Sequence, residues 1–134
     1  SYAYVTNFNS NTVTVINTVN DSFTDTVPVG KKPMGVAVSP DGTRVYVTNA
    51  NYGDSGTLSV IDKAKSEVTA TINVGYKYSP CGIAVTPDGT KIYVVNDHDN
   101  SISIIDTETN NVIANVTVGN LPKAFGQFIG TLKN

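Results

Sequence analysis

The tetrapeptide YVTN at residues 46–49 decides the fold, because it is one of three copies. It also stands at residues 4–7 and returns as YVVN at residues 93–96, at intervals of 42 and 47 residues. A longer segment is repeated at the same interval of 47 residues: PMGVAVSPDGT at 33–43 returns as PCGIAVTPDGT at 80–90. Self-similarity at a period of about 20–50 residues indicates a repeat architecture.

Each repeat contains four segments with the character of β-strands. RVYVTN at 44–49, TVTVIN at 12–17 and VTATINV at 68–74 alternate apolar and polar residues, as a half-buried strand does. GVAVS at 35–39 is a short apolar run, which is typical of a strand covered on both faces. PDGT at 40–43 favours a tight turn, because Pro fixes one φ angle and Gly tolerates a positive one.

This pattern predicts an all-β fold, a β-propeller of three four-stranded antiparallel blades. Four strands in 42 to 47 residues are the dimension of a blade, whereas the coils of a β-helix are shorter and a sandwich does not repeat in sequence. The repeats cover about residues 1–45, 46–92 and 93–134 of one domain. The residues expected to be buried between blades are Val36, Val38, Val47, Ile61, Ile72, Ile83, Val85, Val94 and Ile105.

Composition argues against several classes of protein. The 134 residues carry a net charge of −2, whereas a protein that binds nucleic acid shows a basic excess. No apolar run reaches about 18 residues, so we expect no membrane insertion. Cys81 is the only cysteine, so no intrachain disulfide can form. Cysteine content therefore does not indicate whether the protein is located in a reducing or an oxidising compartment. The chain opens within a strand-like run and without Met, which we interpret as a processed or excised piece.

The repeats resemble the YVTN family of β-propeller repeats. YVTN at 4–7, with NTVTVIN, PVG and PMGVAVSPDG behind it, carries the resemblance, which covers essentially the whole chain. The resemblance implies that Gly-Val-Ala-Val is the innermost strand of a blade and Tyr-Val-Thr-Asn the second. Such repeats are typical of archaeal surface layers and other extracellular proteins, so the resemblance implies a location outside the cell or at its surface.

The two ends of the chain predict how a ring is closed. The chain begins with a second strand and ends with KAFGQFIGTLKN at 123–134, where Ala124 stands at the position of Gly35 and Gly82. We therefore expect a surplus innermost strand at the C-terminus and a missing one in the first blade. Propellers have about four to eight blades, so three blades need a complement. We expect a homodimer that forms a six-bladed ring; further blades of a longer parent chain are the alternative.

Two insertions predict a binding face. NANYGDSGT at 49–57 has three extra residues after a second strand, and GYKYSP at 75–80 has two after a fourth strand. Because strands alternate in direction, both turns emerge on the same side of the ring. The residues expected there are Tyr52, Asp54, Tyr76, Lys77, Tyr78 and His98, with Lys31, Lys32 and Lys123 nearer the axis. Tyrosine suits recognition, so this face would bind a polar or anionic partner, such as a glycan or a cell-envelope protein. The alternative is that the two insertions have no function, because the lengths of surface turns vary among related sequences.

Few residues can carry chemistry. A single His and a single Cys do not support a Ser-His-Asp set or a His/Cys metal site, and we expect no cofactor. Asp97 and Asp99 offer oxygen ligands at alternate positions, as calcium prefers, but a polar hairpin turn is the favoured interpretation. Asn20 and Asn115 begin two sequons and are candidates for glycosylation in a secreted protein.

Two interpretations of function remain. The first is a non-enzymatic extracellular module of the surface-layer or adhesion type, which the resemblance, the low charge and the scarcity of catalytic residues favour. The second is an enzyme or an enzyme subunit, since propellers that look related act as lactonases or as β-subunits of redox enzymes. Such a site needs acids, His or metal ligands that converge at the mouth of the ring. The residues available for it are Asp54, Asp97, Asp99 and His98, and we therefore expect the first.

Overall fold

The chain is built of β-strands and turns. The structure, a computed structural model, describes residues 1–75 and 80–131. Those two ranges contain eleven strands and no helix, and so no helix that could cross a bilayer. The strands are β1 (Tyr2–Asn7), β2 (Thr12–Asn17), β3 (Ser22–Pro28), β4 (Pro33–Val38), β5 (Arg44–Asn49), β6 (Gly56–Asp62), β7 (Glu67–Gly75), β8 (Pro80–Val85), β9 (Lys91–Asn96), β10 (Ser101–Asp106) and β11 (Val112–Thr117).

The strands form three antiparallel sheets, which we call blades 1, 2 and 3. Blade 1 is β1-β2-β3, blade 2 is β4-β5-β6-β7 and blade 3 is β8-β9-β10-β11. Neighbouring strands in each blade are consecutive in the chain. The predicted all-β propeller fold is thus confirmed, with three strands rather than four in blade 1. The sequence repeats are out of phase with the blades, because the YVTN segment at the start of each repeat lies in the second strand of a four-stranded blade.

The first two residues of YVTN fill the two faces of blade 2. Along β5, Val45 and Val47 pack toward blade 1 while Tyr46 packs toward blade 3. Side chains alternate across a strand, so a blade with a neighbour on each side needs apolar residues in both registers. One core between blades 1 and 2 contains Val13, Val15, Val27, Val45, Val47 and Ile61. The core between blades 2 and 3 contains Tyr46, Leu58, Val60, Ile72, Val74, Ile83, Val85, Ile92, Val94 and Ile105.

The last two residues of YVTN join strands and blades by hydrogen bonds. The Thr48 hydroxyl accepts from the Gly35 amide at 2.8 Å and donates to the Cys81 carbonyl of blade 3 at 3.1 Å. The Thr6 hydroxyl likewise donates from blade 1 to a β4 carbonyl of blade 2, at 2.9 Å. The Asn49 side-chain amide donates to two hydroxyl groups on β6, at 2.9 and 3.2 Å, and the other blades repeat this contact. These contacts give hydrogen-bond partners to the buried Thr hydroxyl and Asn amide groups of the motif.

Glycines set the distance between the innermost strands of neighbouring blades. A Cβ atom at Gly35 would lie 2.3 Å from the carbonyl oxygen of Cys81. A Cβ atom at Gly82 would lie 2.3 Å from the carbonyl oxygen of Ala124. Both contacts are with backbone, which cannot turn aside as a flexible side chain can. The strands β4 and β8 and the C-terminal segment therefore lie side by side.

The C-terminal segment has the predicted position without being a strand. Residues 118–131 form no strand, so the expectation of an innermost strand around Ala124 is wrong for the single chain. The physical reason is that an innermost strand pairs with the second strand of its own blade, and the described residues supply none beside this segment. The Gln127 side-chain amide donates to the Val85 carbonyl at 3.2 Å and keeps the segment against β8.

Two residues of the expected core are less buried than predicted. Val38 remains 42% exposed, and Val36 is half-buried, whereas the equivalent Val85 of blade 3 is 5% exposed. The difference arises because β4 of blade 2 covers Val85, while the described part of blade 1 begins with β1 and places no strand over Val38. The other seven expected core residues are buried.

Aspartates in the two Pro-Asp-Gly turns are held in the ionised form. The Asp41 carboxylate accepts hydrogen bonds from the Ser39 hydroxyl at 2.6 Å and from the Thr43 amide and hydroxyl at 3.0 and 2.8 Å. These contacts, led by the Ser39 hydroxyl, lower the pKa of Asp41 from 3.8 to about 2. Asp88 has the same contacts in the next blade, and its pKa is also lowered to about 2.

We predict that Gly35→Ala destabilises the protein by at least about 1–3 kcal/mol, because a backbone carbonyl already occupies the space of the new methyl group. Gly119→Ala is the matched control, since no atom lies within 4 Å of the position of its Cβ. Urea denaturation measures both variants. Equal stabilities of the two alanine variants would contradict the close approach of β4 and β8.

We predict that stability falls as the pH is lowered from about 4 toward 2, through the folded pKa of Asp41 and Asp88. A carboxyl whose pKa is lowered by folding stabilises the protein above its unfolded pKa and loses that contribution as it is protonated. The double variant Asp41→Asn with Asp88→Asn should show a flatter dependence of the urea midpoint on pH in this range. Asp54→Asn, which removes the same charge from an exposed position of another loop, is the control for the change in net charge.

Candidate functional site

Turns after second strands and segments after outermost strands meet on one side of the blades, which we call the upper face. The side-chain oxygens of Asn11, Asn51 and Asn100, each in a turn after a second strand, accept a backbone amide hydrogen bond at 2.9–3.0 Å. The amides belong to Lys31, Lys32 and Leu121, which follow the outermost strands of their sheets. The three asparagines have φ angles of 47–58°, which asparagine tolerates better than most residues. The alternation of strand direction predicts this shared face.

An ionic cluster lies at the junction of blade 3 and the C-terminal segment. Asp97 follows β9 directly, and its side chain is only 7% exposed. One carboxylate oxygen accepts a hydrogen bond from His98 Nδ1 at 2.6 Å, and the other accepts one from Lys123 Nζ. The side chains of His98 and Lys123 are 54% and 50% exposed. A buried carboxylate therefore holds two nitrogen groups at the edge of solvent.

The electrostatics of this cluster favour the ion pair. Burial by itself would raise the pKa of Asp97, but the hydrogen bonds from Lys123 and His98 outweigh it, so the pKa lies below its ordinary value. The hydrogen bond to Asp97 raises the pKa of Lys123. At neutral pH the carboxylate and the ammonium are both charged, and the ammonium stays accessible to a ligand.

Cys81 lies beside the cluster as a neutral thiol. Its side chain is buried, with Sγ 3.5 Å from the Val95 carbonyl oxygen and 4.0 Å from that of Pro122. Burial raises the pKa of the Cys81 thiol, and the charge of Asp97 acts in the same direction. Only a thiolate is a strong nucleophile, so this cysteine contributes packing rather than covalent chemistry.

Aromatic residues from blades 1 and 2 form a second group on the upper face. The rings of Phe8 and Tyr52 meet edge to face with centroids 5.6 Å apart. Lys32 Nζ lies 4.9 Å above the Phe8 ring and donates to the Asn9 side-chain oxygen at 2.9 Å. Tyr52 is among the smaller causes of the raised pKa of Lys123, so the aromatic group and the ionic cluster are neighbours on the upper face. Sequence reasoning missed Phe8, although an aromatic residue in an otherwise polar turn is a signal.

A cleft of about 460 Å³ opens between blades 2 and 3 beside the turn that carries the ionic cluster. Its walls combine polar side chains with a larger share of apolar surface, and Asn96 and Asp99 in its lining flank Asp97 and His98 in the sequence. Other lining residues include Ser55, Asn73, Ser101 and Asn115. Pockets for small molecules have volumes of about 300–1,000 Å³, so the cleft is large enough for one small polar ligand.

The residues predicted for the binding face are partly brought together. His98 lies in the ionic cluster with Lys123, and Tyr52 lies in the aromatic group with Lys32. Asp54 is exposed in the same β5–β6 loop as Tyr52. Tyr76, Lys77 and Tyr78 lie outside the described residues.

The structure gives no support to calcium at Asp97 and Asp99. Both oxygens of Asp97 already accept hydrogen bonds from nitrogen groups, which a cation would have to displace. Within residues 1–75 and 80–131, no group of three or more His, Cys, Asp or Glu side chains is placed to hold a metal ion.

The two sequon asparagines are both exposed. The Asn20 side-chain oxygen accepts a hydrogen bond from the Ser22 hydroxyl at 2.7 Å within the β2–β3 turn. The Asn115 side-chain oxygen accepts one from the Ser103 hydroxyl at 2.8 Å on the outer edge of blade 3. Glycosylation at these positions stays a prediction.

Comparison with known proteins identifies relatives of this architecture. A family model described as lactonase, seven-bladed β-propeller, matches residues 1–114. A search of curated proteins found no match. Among solved structures, hydrazine synthase of Kuenenia stuttgartiensis is similar with a TM-score of 0.82 and 30% identity, over 90% of this chain and 33% of that one.

Two further structures share the fold at lower identity. AztD of Citrobacter koseri has a TM-score of 0.74 and 21% identity, over 91% of this chain and 33% of that chain. Dihydro-heme d1 dehydrogenase NirN in complex with DHE has a TM-score of 0.70 and 19% identity, over 86% of this chain and 24% of that chain. The chain therefore spans a third or less of the length of each structure.

These comparisons overturn the expected function. The prediction of a non-enzymatic extracellular structural or binding module is wrong, because the matching family model is one of lactonases and the 30% identical structure is an enzyme. The prediction underrated the site because one His and a few acids looked too scarce in the sequence, whereas the fold gathers Asp97, His98 and Lys123 at one point. The alternative of an enzyme-type propeller is favoured instead.

We predict that Asp97→Asn lowers the free energy of unfolding by about 1–2 kcal/mol at pH 7, because Lys123 and His98 lose a charged acceptor. Asp54→Asn, at an exposed position of the β5–β6 loop, should change it by less than about 0.5 kcal/mol. Because folding lowers the pKa of Asp97, its contribution should vanish as the pH falls below the ordinary range of an aspartate. Urea denaturation at pH 7 and at pH 3 tests both statements, and equal losses in the two variants would refute them.

Proposed function

The chain belongs to the lactonase family of seven-bladed β-propellers, and we propose that it contributes three blades to an enzyme that hydrolyses a cyclic ester. The observation that carries the proposal is the contact of one buried carboxylate, Asp97, with both His98 and Lys123 on the upper face. The family is named for the hydrolysis of lactones. The cluster provides a carboxylate, an imidazole and an ammonium group, which can serve in such a hydrolysis.

Opening of a lactone by water needs a base and a group that stabilises negative charge. Water attacks the ring carbonyl, the acyl C–O bond breaks, and the released alkoxide takes up a proton to give a hydroxy acid. The base must accept a proton from water as it attacks, and the oxygen of the carbonyl becomes an oxyanion.

Asp97 and His98 have the geometry of a base and the residue that orients it. Asp97 accepts a hydrogen bond from His98 Nδ1 at 2.6 Å, which fixes the ring and the tautomer. A neutral imidazole that donates from Nδ1 carries its lone pair on Nε2. We assign His98 as the general base and Asp97 as the positioning residue that stabilises the imidazolium.

Lys123 is the group suited to the developing negative charge. Its ammonium is half exposed, and its pKa is raised by the hydrogen bond to Asp97, so it stays charged throughout the neutral range. A fixed positive charge near the carbonyl oxygen lowers the energy of the oxyanion. The same charge would hold the carboxylate of the product or an acidic group of the substrate.

The cleft between blades 2 and 3 opens beside the turn that carries His98, and although Asp97, His98 and Lys123 do not line it, it offers room for a hydroxylated substrate that reaches the cluster across Asp99. Ser55, Asn73 and Asn115 line it with hydroxyl and amide groups, which bind hydroxyl groups of a ligand. The volume of about 460 Å³ fits a five- or six-membered lactone with its substituents. The resemblance to YVTN repeats is compatible with this proposal. The residues of that motif lie in the strands of the blades, whereas the proposed catalytic residues lie in a turn and in the C-terminal segment. An extracellular location stays a prediction.

A second candidate is a propeller segment of a redox enzyme. It is favoured by the 30% identity and the TM-score of 0.82 with hydrazine synthase. In that case the upper face would contact another domain or subunit rather than a lactone. Purification of the chain with its cellular partners, followed by mass spectrometry, would recover subunits of a redox enzyme.

Hydrolysis of a panel of γ- and δ-lactones, followed with a pH indicator, tests the first candidate. His98→Gln should lower kcat by about 10²-fold or more, the usual contribution of a general base. Lys123→Met should lower kcat/KM through the lost oxyanion contact. Lys65→Met, an exposed lysine in the β6–β7 turn of the opposite face, is the matched control and should retain full activity.

Two outcomes contradict the proposal. One is a wild-type rate no higher than that of the uncatalysed reaction for every lactone of the panel. The other is an equal rate for His98→Gln and Lys65→Met in preparations with the same melting temperature, because hydrolysis would then occur away from the ionic cluster.

A further inference from the structure

Asn100, the last residue of the turn between β9 and β10, is bonded to the segment that carries Lys123. Its side-chain oxygen accepts a hydrogen bond from the Leu121 amide at 2.9 Å. Its backbone carbonyl accepts another from the Val118 amide at 2.8 Å. Both donors lie between the end of β11 and Lys123, so one residue ties the turn of the ionic cluster to the segment that supplies the ammonium.

Blade 1 has the same pair of hydrogen bonds without the ionic groups. The side-chain oxygen of Asn11 accepts from the Lys32 amide at 2.9 Å, and its backbone carbonyl accepts from the Val29 amide at 3.0 Å. The two donors follow the asparagine at the same separations along the chain in both blades. Two residues after the second donor, blade 2 begins with Met34 where the C-terminal segment has Lys123. The clamp is thus a device of the repeat, and the ionic residues are what distinguish its copy at blade 3.

The backbone at the clamped residue adopts a conformation that needs support. Leu121 has a φ of 48°, which is uncommon for a residue with a bulky side chain. Such a conformation persists only where surrounding contacts hold it. Only Pro122, whose ring fixes its φ angle, separates Leu121 from Lys123. The direction in which the Lys123 side chain leaves the backbone therefore depends on the hydrogen bond to Asn100.

The ion pair with Asp97 depends on this direction. The Lys123 side chain is half exposed, and a lysine side chain is flexible, so that an ion pair at the surface is weak by itself. Residues 118–131 form no strand, so no ladder of backbone hydrogen bonds fixes the position of Lys123. The clamp is the contact nearest to Lys123 in the chain that can do so.

We propose that Asn100 is a positioning residue of the ionic cluster, which holds the backbone before Lys123 so that the ammonium stays on the carboxylate that also binds His98. Asn100 acts through Lys123 and needs no contact with a reacting atom. Its effect on catalysis rests on the lactone hydrolysis proposed above, in which Lys123 stabilises the oxyanion. Its effect on the ion pair does not depend on that activity.

Labelling of lysine amines with acetic anhydride in mildly alkaline buffer, followed by peptide mass spectrometry, tests the position of Lys123 directly. Only the unprotonated amine reacts, and the hydrogen bond to Asp97 raises the pKa of Lys123. Asn100→Gly removes the side-chain oxygen and keeps the left-handed backbone, which glycine adopts freely. It should accelerate the labelling of Lys123 by about three- to tenfold, as its pKa returns toward that of an ordinary lysine.

Two variants are the controls. Asn11→Gly removes the equivalent hydrogen bond in blade 1 and should lower the melting temperature by a similar amount without changing the labelling of Lys123. Asn100→Asp keeps an oxygen acceptor and also tolerates a positive φ, so it should restore the slow labelling. A merely structural role of Asn100 would not give this pattern, because labelling would then follow the melting temperature and not the presence of the oxygen.

The kinetic consequence is measured with a lactone that the wild type hydrolyses. Asn100→Gly should lower kcat by up to about 10²-fold with little change in KM, because a misplaced catalytic group costs that much. Asn11→Gly and Asn100→Asp should keep a kcat near that of the wild type.

Three outcomes overturn the proposal. Equal labelling of Lys123 in the wild type and in Asn100→Gly would show that the ammonium keeps its place without the hydrogen bond. Equal acceleration by Asn11→Gly would show a general loosening of the sheets. Faster labelling with an unchanged kcat would overturn the role of this positioning in catalysis. Faster labelling in Asn100→Gly alone, with no hydrolysis of any lactone by the wild type, would instead support the positioning of Lys123 and contradict the proposed function.

Discussion

Contact between backbones at the innermost strands is the constraint on which the rest of the structure depends. A Cβ atom at Gly35 would overlap a carbonyl oxygen of β8, and one at Gly82 would overlap a carbonyl oxygen of the C-terminal segment, so these backbones approach more closely than side chains would allow. Farther out, Leu58 and Ile72 fill the space between the sheets. The space between blades thus widens from the innermost strands outward, and stacked sheets with this wedge shape form a segment of a ring.

The fold could be predicted from the sequence because each blade is specified locally and then repeated. Strand alternation, the Pro-Asp-Gly turns and the three YVTN segments all indicate the same unit, and consistent local signals are the mark of a well-specified structure. The strand expected around Ala124 is absent because its formation depends on a neighbouring strand with which it can pair. Local sequence signals do not show whether such a neighbour is present. The exposure of Val38 has the same origin: a face is buried only when the neighbouring blade supplies an innermost strand.

The candidate site was harder to predict because its parts are ordinary when they are considered singly. Asp97 and His98 stand in a polar turn, and Lys123 comes 26 residues later in a segment without regular structure. Nothing in the sequence says that a buried carboxylate will contact both. The motif that identifies the fold consists of residues that build blades, and blades of one design host many functions. A function inferred from the motif was therefore wrong, and the comparisons favour an enzyme-type propeller instead.

The third copy of the motif differs from the others at the residue that joins neighbouring blades. Where Thr6 and Thr48 donate a hydrogen bond to the next innermost strand, blade 3 has Val95, which has no hydroxyl group. The segment after blade 3 is held there by the ion pair of Asp97 with Lys123, together with the hydrogen bond from Gln127 to the Val85 carbonyl. Salt weakens partly exposed ion pairs far more than neutral hydrogen bonds. Of the three junctions, this one should therefore depend most on ionic strength, and the candidate catalytic groups Asp97 and Lys123 are among the residues that stabilise it.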